Sequence, residues 1–428
     1  MLVKGRQPWS LISVVAILLT LAVAAAGIGM LKAQTASAPV TPAIMATGLA
    51  TAPAFDPPAL YLMWQHDPTT TMTVHWHTLD AGRPSTVEYQ KLNETQWRSA
   101  TGTERMVPTS ERVIHIVELT GLDPGTEYRF RLGPNAKIYT FRTMPAQADR
   151  PIRFVTGGDT MHQKDWWENT NRQAARYDPE FALLGGDLSY ADDNPKKLNR
   201  WFDWFDACKK TLITPANRII PIVLAIGNHE VQGGFGKTME SSPFFYSFFS
   251  FPVKRGYNVL DFGNYMSIIL LDSGHTTPVT GEQTQWLDKT LAQRQDVPHV
   301  FPIYHVPGYP SVRRFDDGVS PQIRKNWMPL FEKYRVRVAF ENHDHAYKRT
   351  HPLRDGKVNY ARGVVYIGDG AWGVGVRPVH PERWYLAKAQ AIRHFIVVTL
   401  HGPHQQFVTV DEKGQVIDRY PTNPPEPL

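Results

Sequence analysis

The sequence predicts an α/β domain preceded by an all-β sandwich. Residues 57 to 145 hold short alternating strands separated by turn signals. From Arg150 to about Gly370, apolar strand-like runs alternate with longer helical stretches. Five of those runs end in short polar strings of Asp, Asn, Tyr and His, which is where ligands gather in open α/β sheets.

At 428 residues and 42% hydrophobic content, the chain is long enough for two domains and a substantial core. Its net charge is +6, and three of those charges belong to Lys4, Arg6 and Lys32. The rest is scattered, as on a solvated surface, so no nucleic-acid partner is expected. Residues 1–32 carry Lys4 and Arg6, then an apolar stretch from Trp9 to about Leu31; Ala36-Ser37-Ala38 follows. This fits a secretory signal peptide and, at roughly 20 apolar residues, also a retained membrane anchor. Either way the chain is read as exported: secreted, periplasmic or anchored to the outer face, with the anchor its one expected membrane contact. Residues 33–56, rich in Ala, Pro and Thr, read as a linker.

In the sandwich, residues 71–76, 85–89 and 113–117 alternate as strands do. Leu119-Thr120-Gly121-Leu122-Asp123-Pro124-Gly125-Thr126-Glu127-Tyr128 resembles the tyrosine corner of fibronectin type III domains. Trp76 is the expected core tryptophan. His75 and His77 flank it and point the other way, which predicts solvent-facing positions. Asn93-Glu94-Thr95 is a glycosylation sequon, usable where the source glycosylates.

The α/β domain is expected over residues 150–420. Its runs include residues 152–155, 181–184, 219–226, 300–304, 336–340 and 364–367, with residues 395–400 and 406–410 completing the sheets. Residues 196–212 have helical spacing, with Trp201, Trp204, Phe205, Cys208 and Leu212 on one face. Cys208 is the single cysteine and reads as a small core residue, neither nucleophile nor disulfide partner, so no disulfide-linked dimer is expected.

The polar strings are Gly158-Asp159, Gly186-Asp187-Leu188-Ser189-Tyr190, Gly227-Asn228-His229-Glu230, His305 and His343-Asp344-His345. Each alone is an ordinary turn or core feature. Jointly they supply the donors for two cations roughly 3.5–4 Å apart. A carboxylate has two oxygens, so Asp187 is the candidate bridge. A phenol with an ordinary pKa of about 10 becomes a ligand beside a highly charged ion such as Fe3+. Asn228 offers a neutral oxygen, and His343 and His345 share one side of an extended segment.

These five strings resemble the purple acid phosphatases within the calcineurin-like metallophosphoesterases, and the likeness spans residues 57 to 370. Val365-Tyr366-Ile367-Gly368-Asp369-Gly370 resembles a further stretch of plant-type members. The resemblance implies a β-sandwich flanked by helices behind a fibronectin-like N-terminal domain (57–145). By position, Asp159, Tyr190 and His345 hold Fe3+. Asn228, His305 and His343 hold a divalent ion (Fe2+, Zn2+ or Mn2+), and Asp187 bridges. The implied reaction is hydrolysis of small-molecule phosphate monoesters by a metal-held hydroxide attacking in line, with Asp187 and His229 catalytic and Asn228 and His229 facing substrate. The chain departs from the family at Met161, Asn342, Lys348-Arg349 and Arg313-Arg314, none of them an expected ligand. His162 lies one residue beyond the Asp-x-His spacing of other metallophosphoesterases, and reads as a supporting or solvent-facing residue. Competing readings are a phosphodiesterase on the same scaffold, a non-catalytic adhesion or scaffold protein, and an unrelated α/β enzyme. The full donor set argues against the last two.

Overall fold

The computed structural model describes residues 54–79 and 82–422; the expected leader or anchor and most of the linker lie outside them. Both β and α/β parts fall in one compact unit, Pro53–Leu428. The last linker residues are tied down. Phe55 exchanges backbone hydrogen bonds with Asn135 and Lys137, and Asp56 pairs with Lys209.

The N-terminal domain is a pair of four-stranded antiparallel sheets. One orders Leu60–Met63, Met72–Thr78, Val113–Leu119 and Thr103–Met106; the other orders Arg98–Thr101, Thr86–Lys91, Glu127–Arg131 and Ile138–Arg142. Their inner faces bury Leu62, Val74, Trp76, Tyr128 and Phe141. The Tyr128 hydroxyl accepts the Asp123 N–H at 2.9 Å, the contact that a tyrosine corner requires.

His75 and His77 correct the sequence reading: neither faces solvent, and both are fully buried. Met72–Thr78 is buried along its whole length because the sheet's outer face packs on the α/β domain. His77 lies 4.8 Å from Phe205 and 5.6 Å from Phe248, ring centre to ring centre. His75 stacks on Tyr61 at 4.9 Å and meets the Ser250 hydroxyl at 2.9 Å. Alternation tells which residues share a face; it does not tell whether the second face is covered.

The α/β domain is two sheets back to back. The first orders Ile222–Leu224, Ala182–Leu184, Ile152–Gly157, His394–His401, His404–Asp411 and Val416–Tyr420, so the C-terminal strands extend the parallel trio antiparallel. The second is built on Met266–Leu270, His299–Ile303, Val338–Glu341 and Val365–Gly368, all parallel. Phe154, Leu183, Ile396, Phe301, Phe340 and Ile367 fill the space between the sheets. Helices Lys164–Ala175 and Leu198–Thr211 cover the first sheet; Glu282–Ala292, Ser320–Asn326 and Met328–Lys333 cover the second. Trp201, Trp204, Phe205 and Cys208 face inward from their helix, and burial pushes the Cys208 thiol well above its usual range. Among the described residues no helix is long and apolar enough to cross a membrane.

Candidate metal centre

The carboxyl ends of both sheets' parallel strands meet at one rim. Asp159 follows Ile152–Gly157, Asp187 follows Ala182–Leu184, Asn228 follows Ile222–Leu224, His305 follows His299–Ile303, and His343 follows Val338–Glu341. The seam between the sheets is closed by Asn342, whose amide donates to the Tyr304 carbonyl at 3.0 Å. A Cβ on Gly185 would lie 1.9 Å from that amide nitrogen, so only glycine fits there.

Two donor groups converge at this rim. In the first, the Tyr190 hydroxyl donates to Asp159 Oδ1 at 2.9 Å, and His345 Nε2 lies 3.1 Å from the hydroxyl and 3.0 Å from the same carboxylate oxygen. In the second, His305 Nε2 lies 3.0 Å from Asp187 Oδ2, 2.9 Å from His343 Nδ1 and 3.2 Å from Asn228 Oδ1. Donor atoms of Asp187, His305 and His343 all fall within 4.8 Å of one another. Asn228 is half-buried, and the other six candidate ligands are buried.

The backbone is bent to make this convergence. Asp159, Asp187, Tyr190, His343 and His345 all adopt positive φ, between 52° and 77°. Non-glycine residues rarely sit there, and the strain persists only where surrounding contacts hold it. Those contacts are visible. The His343 N–H donates to Asp159 Oδ2 at 2.8 Å, and the His229 N–H donates to Asp187 Oδ1 at 2.8 Å. His305 Nδ1 contacts the Gly185 carbonyl at 2.8 Å and His345 Nδ1 the Gly375 carbonyl at 3.2 Å, which turns both Nε2 atoms into the cluster.

The electrostatics call for positive charge. Burial works against ionised His305, yet the Asp187 and Asp159 carboxylates outweigh it and raise the imidazole to about 9. Burial also raises Asp187, but His305 and His229 hold it well below the usual carboxylate range. Burial, then Asp159 and Asp187, pushes the Tyr190 phenol well above its usual range. Two buried carboxylates ringed by lone-pair donors fit a pair of cations, and the mix of carboxylate, phenol, amide and imidazole suits iron and borderline divalent ions.

Sequence reasoning gave no role to two carboxylates that hold these donors. Glu230 accepts the backbone N–H groups of Asp187 and Leu188, both at 2.7 Å, and so fixes the loop that carries Asp187. Its place beside Asn228-His229 is the only hint in the sequence. Asp192 makes a short contact with His229 Nδ1, while His229 Nε2 stays on the cluster side, 3.8 Å from Asp187 Oδ2. Lys197 also pairs with Asp192. His162 sits behind the first donor group, its ring 4.4 Å from Tyr190 and 5.2 Å from His345, and accepts the Gly375 N–H. Arg313 donates from Nη1 to the His343 carbonyl and to Asp344, each at 2.7 Å. Lys348 is fully buried between Glu341 and Asp369, below the rim.

Residues 57–143 match the model of the purple acid phosphatase N-terminal domain, and residues 148–347 match that of the calcineurin-like phosphoesterases. Purple acid phosphatase 21 of Arabidopsis thaliana is 28% identical over 326 residues, covering 70% of this chain and 68% of that protein. An uncharacterized protein of Mycobacterium tuberculosis is 29% identical over 343 residues, covering 69% of this chain and 62% of its own length, so less than two thirds of that relative is spanned. The solved purple acid phosphatase PPD1 from yellow lupin seeds superposes with a TM-score of 0.70 at 18% identity, covering 84% of this chain and 73% of that one.

Proposed function

The chain belongs to the purple acid phosphatase family of calcineurin-like phosphoesterases, and from that premise we propose that it is an exported hydrolase of phosphate monoesters with a two-metal site. The observation that carries the reading is the pair of donor groups at one sheet rim, each with atoms about 3 Å apart, the second of them containing Asp187. Asp159, Tyr190 and His345 would hold Fe3+. Asn228, His305 and His343 would hold Fe2+, Zn2+ or Mn2+, and Asp187 would be shared. Such a pair, when bound, supplies Lewis-acid charge to the phosphoryl oxygens and lowers the pKa of water.

The chain's own groups do the rest. Asp192 holds His229 by Nδ1 and so turns Nε2 toward the cluster, where it would meet the departing alkoxide. Asn228 sits beside His229 at the same strand end and faces the phosphate from the half-buried side of the rim. Glu230 and the His229 N–H keep Asp187 from swinging away when substrate enters. The apolar stretch after Arg6 supports export, which N-terminal sequencing of mature protein tests.

The decisive experiment compares 4-nitrophenyl phosphate with bis(4-nitrophenyl) phosphate on purified protein, alongside metal analysis and a visible spectrum. The expected result is faster monoester hydrolysis, loss of activity on chelation, iron plus one divalent metal, and a tyrosinate charge-transfer band that Tyr190→Phe removes. Faster turnover of the bis-ester transfers the reading to a diesterase. A protein with both metals bound and no hydrolysis of either ester overturns it.

A further inference from the structure

One sequence feature plays no part in the reading above: Gly233-Gly234-Phe235-Gly236. All three glycines adopt positive φ, between 65° and 85°, so the segment is a tight loop that carries a single large side chain. Phe235 is 41% exposed, an aromatic ring on a segment that is itself mostly exposed from Gln232 to Thr238. The loop is pinned from below. The Gly236 N–H donates to the Gly274 carbonyl and the Lys237 N–H to the His275 carbonyl, both at 2.9 Å, while His275 Nδ1 meets the Gly234 carbonyl at 3.0 Å. This anchoring sets the Phe235 ring 4.8 Å from His275 and edge-on to His343 at 6.2 Å.

Phe235 is one wall of a cavity of about 390 Å³ whose other walls include Val306, Pro307, Pro310, Val319 and Arg313. His343 lines the same cavity, so the space opens directly onto the second donor group of the metal centre. Its volume lies within the range of small-molecule sites. A phosphorus atom held at the rim would leave its ester group beside this cavity, and the walls offer aliphatic and aromatic surface with the Arg313 guanidinium, the Asp317 carboxylate and Ser320 among them.

We propose that this cavity, with Phe235 as one wall, holds the organic group of the substrate and makes the site selective for phosphate esters of apolar, ring-bearing alcohols. The proposal rests on the hydrolase reading and narrows its substrate class. Phe235 would stack on or meet edge-on the ring of the alcohol, as paired aromatic groups do. Small polyol phosphates would reach the same cations but leave the cavity wet.

The test uses metal-loaded full-length protein. It compares 1-naphthyl phosphate with glycerol 2-phosphate in wild type, Phe235→Ala and Phe235→Tyr. Calorimetry of phenylphosphonate and methylphosphonate binding removes any leaving-group effect. Phe235→Ala is expected to lower kcat/KM for 1-naphthyl phosphate about tenfold, mainly through KM, and to leave glycerol 2-phosphate within about twofold. Phe235→Tyr restores the preference. Phenylphosphonate binds about tenfold more tightly than methylphosphonate, and Phe235→Ala abolishes that difference. Equal losses on both esters, or equal affinity for the two phosphonates in wild type, overturn the proposal while leaving the hydrolase reading intact. Conversely, a phenylphosphonate preference in a protein that hydrolyses neither ester supports the cavity and removes the hydrolase reading.

Discussion

The molecule buries histidines in two very different places. At the sheet rim, His305, His343 and His345 turn ring nitrogens toward carboxylates, a phenol and one another at about 3 Å. In the seam between the sandwich and the α/β domain, His75 and His77 lie among Tyr61, Phe205 and Phe248, and neither nitrogen of His77 has a hydrogen-bond partner. Burial is the same in both, so burial alone says nothing about metal. What separates them is the company of anions. Asp187 and Asp159 draw positive charge onto the rim, whereas the seam repels it, with Arg105 and Arg112 adding to the cost.

That contrast is tested hardest at Asp187. Replacing it with Asn leaves the volume unchanged but removes the buried charge 3.0 Å from His305 Nε2. Unpairing a buried charge costs about 3–5 kcal/mol, so turnover is expected to fall on the order of 10³-fold and metal content to drop, with the circular dichroism spectrum unchanged. An Asp187→Asn protein with both metals and normal turnover breaks the site assignment. His229 comes next. His229→Gln should lower kcat by about 10²-fold on esters with poor leaving groups and far less on 4-nitrophenyl phosphate, whose phenolate departs without a proton. Asp192→Asn should show the same leaving-group pattern at about a tenth of the size on a logarithmic plot of rate against leaving-group pKa. A uniform loss over all esters would instead mean that His229 acts on binding.

How much of this was legible in the sequence follows from how local each signal is. The rim residues were readable because each follows its own apolar run within a few positions, and a polar residue at the end of a buried strand needs a partner. Residues 181–184 followed by Gly185-Gly186-Asp187 are an example in which strand, bend and carboxylate are contiguous. Asp192 was hidden because Ala191-Asp192-Asp193-Asn194 reads as a turn, and its bond to His229 spans 37 residues. Glu230 was hidden for a related reason: its carboxylate serves backbone N–H groups, which carry no residue identity. His75 and His77 were misread because alternation fixed their side of the strand correctly, while the cover over that side comes from Leu198–Thr211 and Pro243–Phe248, far along the chain. Phe235 was not legible, because its neighbours Val306 and Val319 come from another part of the fold.

The seam yields the last and smallest effect, and one that does not involve metal. Burial, with Arg105, lowers His75 to about 3, and burial, with Arg112, holds His77 well below its ordinary value. In the unfolded chain both titrate near 6.5. Above that pH neither state binds the proton and the two rings are silent. As the pH falls below 6.5, the unfolded chain takes up protons that the fold refuses, and stability declines until about pH 3, where His75 begins to protonate in place. Each ring contributes a slope of about 1.4 kcal/mol per pH unit in that window. His77→Phe removes one of the two slopes and two unpartnered nitrogens while keeping an aromatic ring against Phe205 and Phe248. At pH 7.5 its thermal midpoint is expected to stay within a few degrees of wild type, because a volume-similar swap in an apolar setting is cheap. At pH 4.5 it should melt measurably higher than wild type, with kcat at pH 6.5 unchanged. If the midpoints of the two proteins instead ran parallel from pH 7.5 to 4.5, His77 would not be the neutral, buried ring described here, and the acid sensitivity of the fold would have to come from the rim.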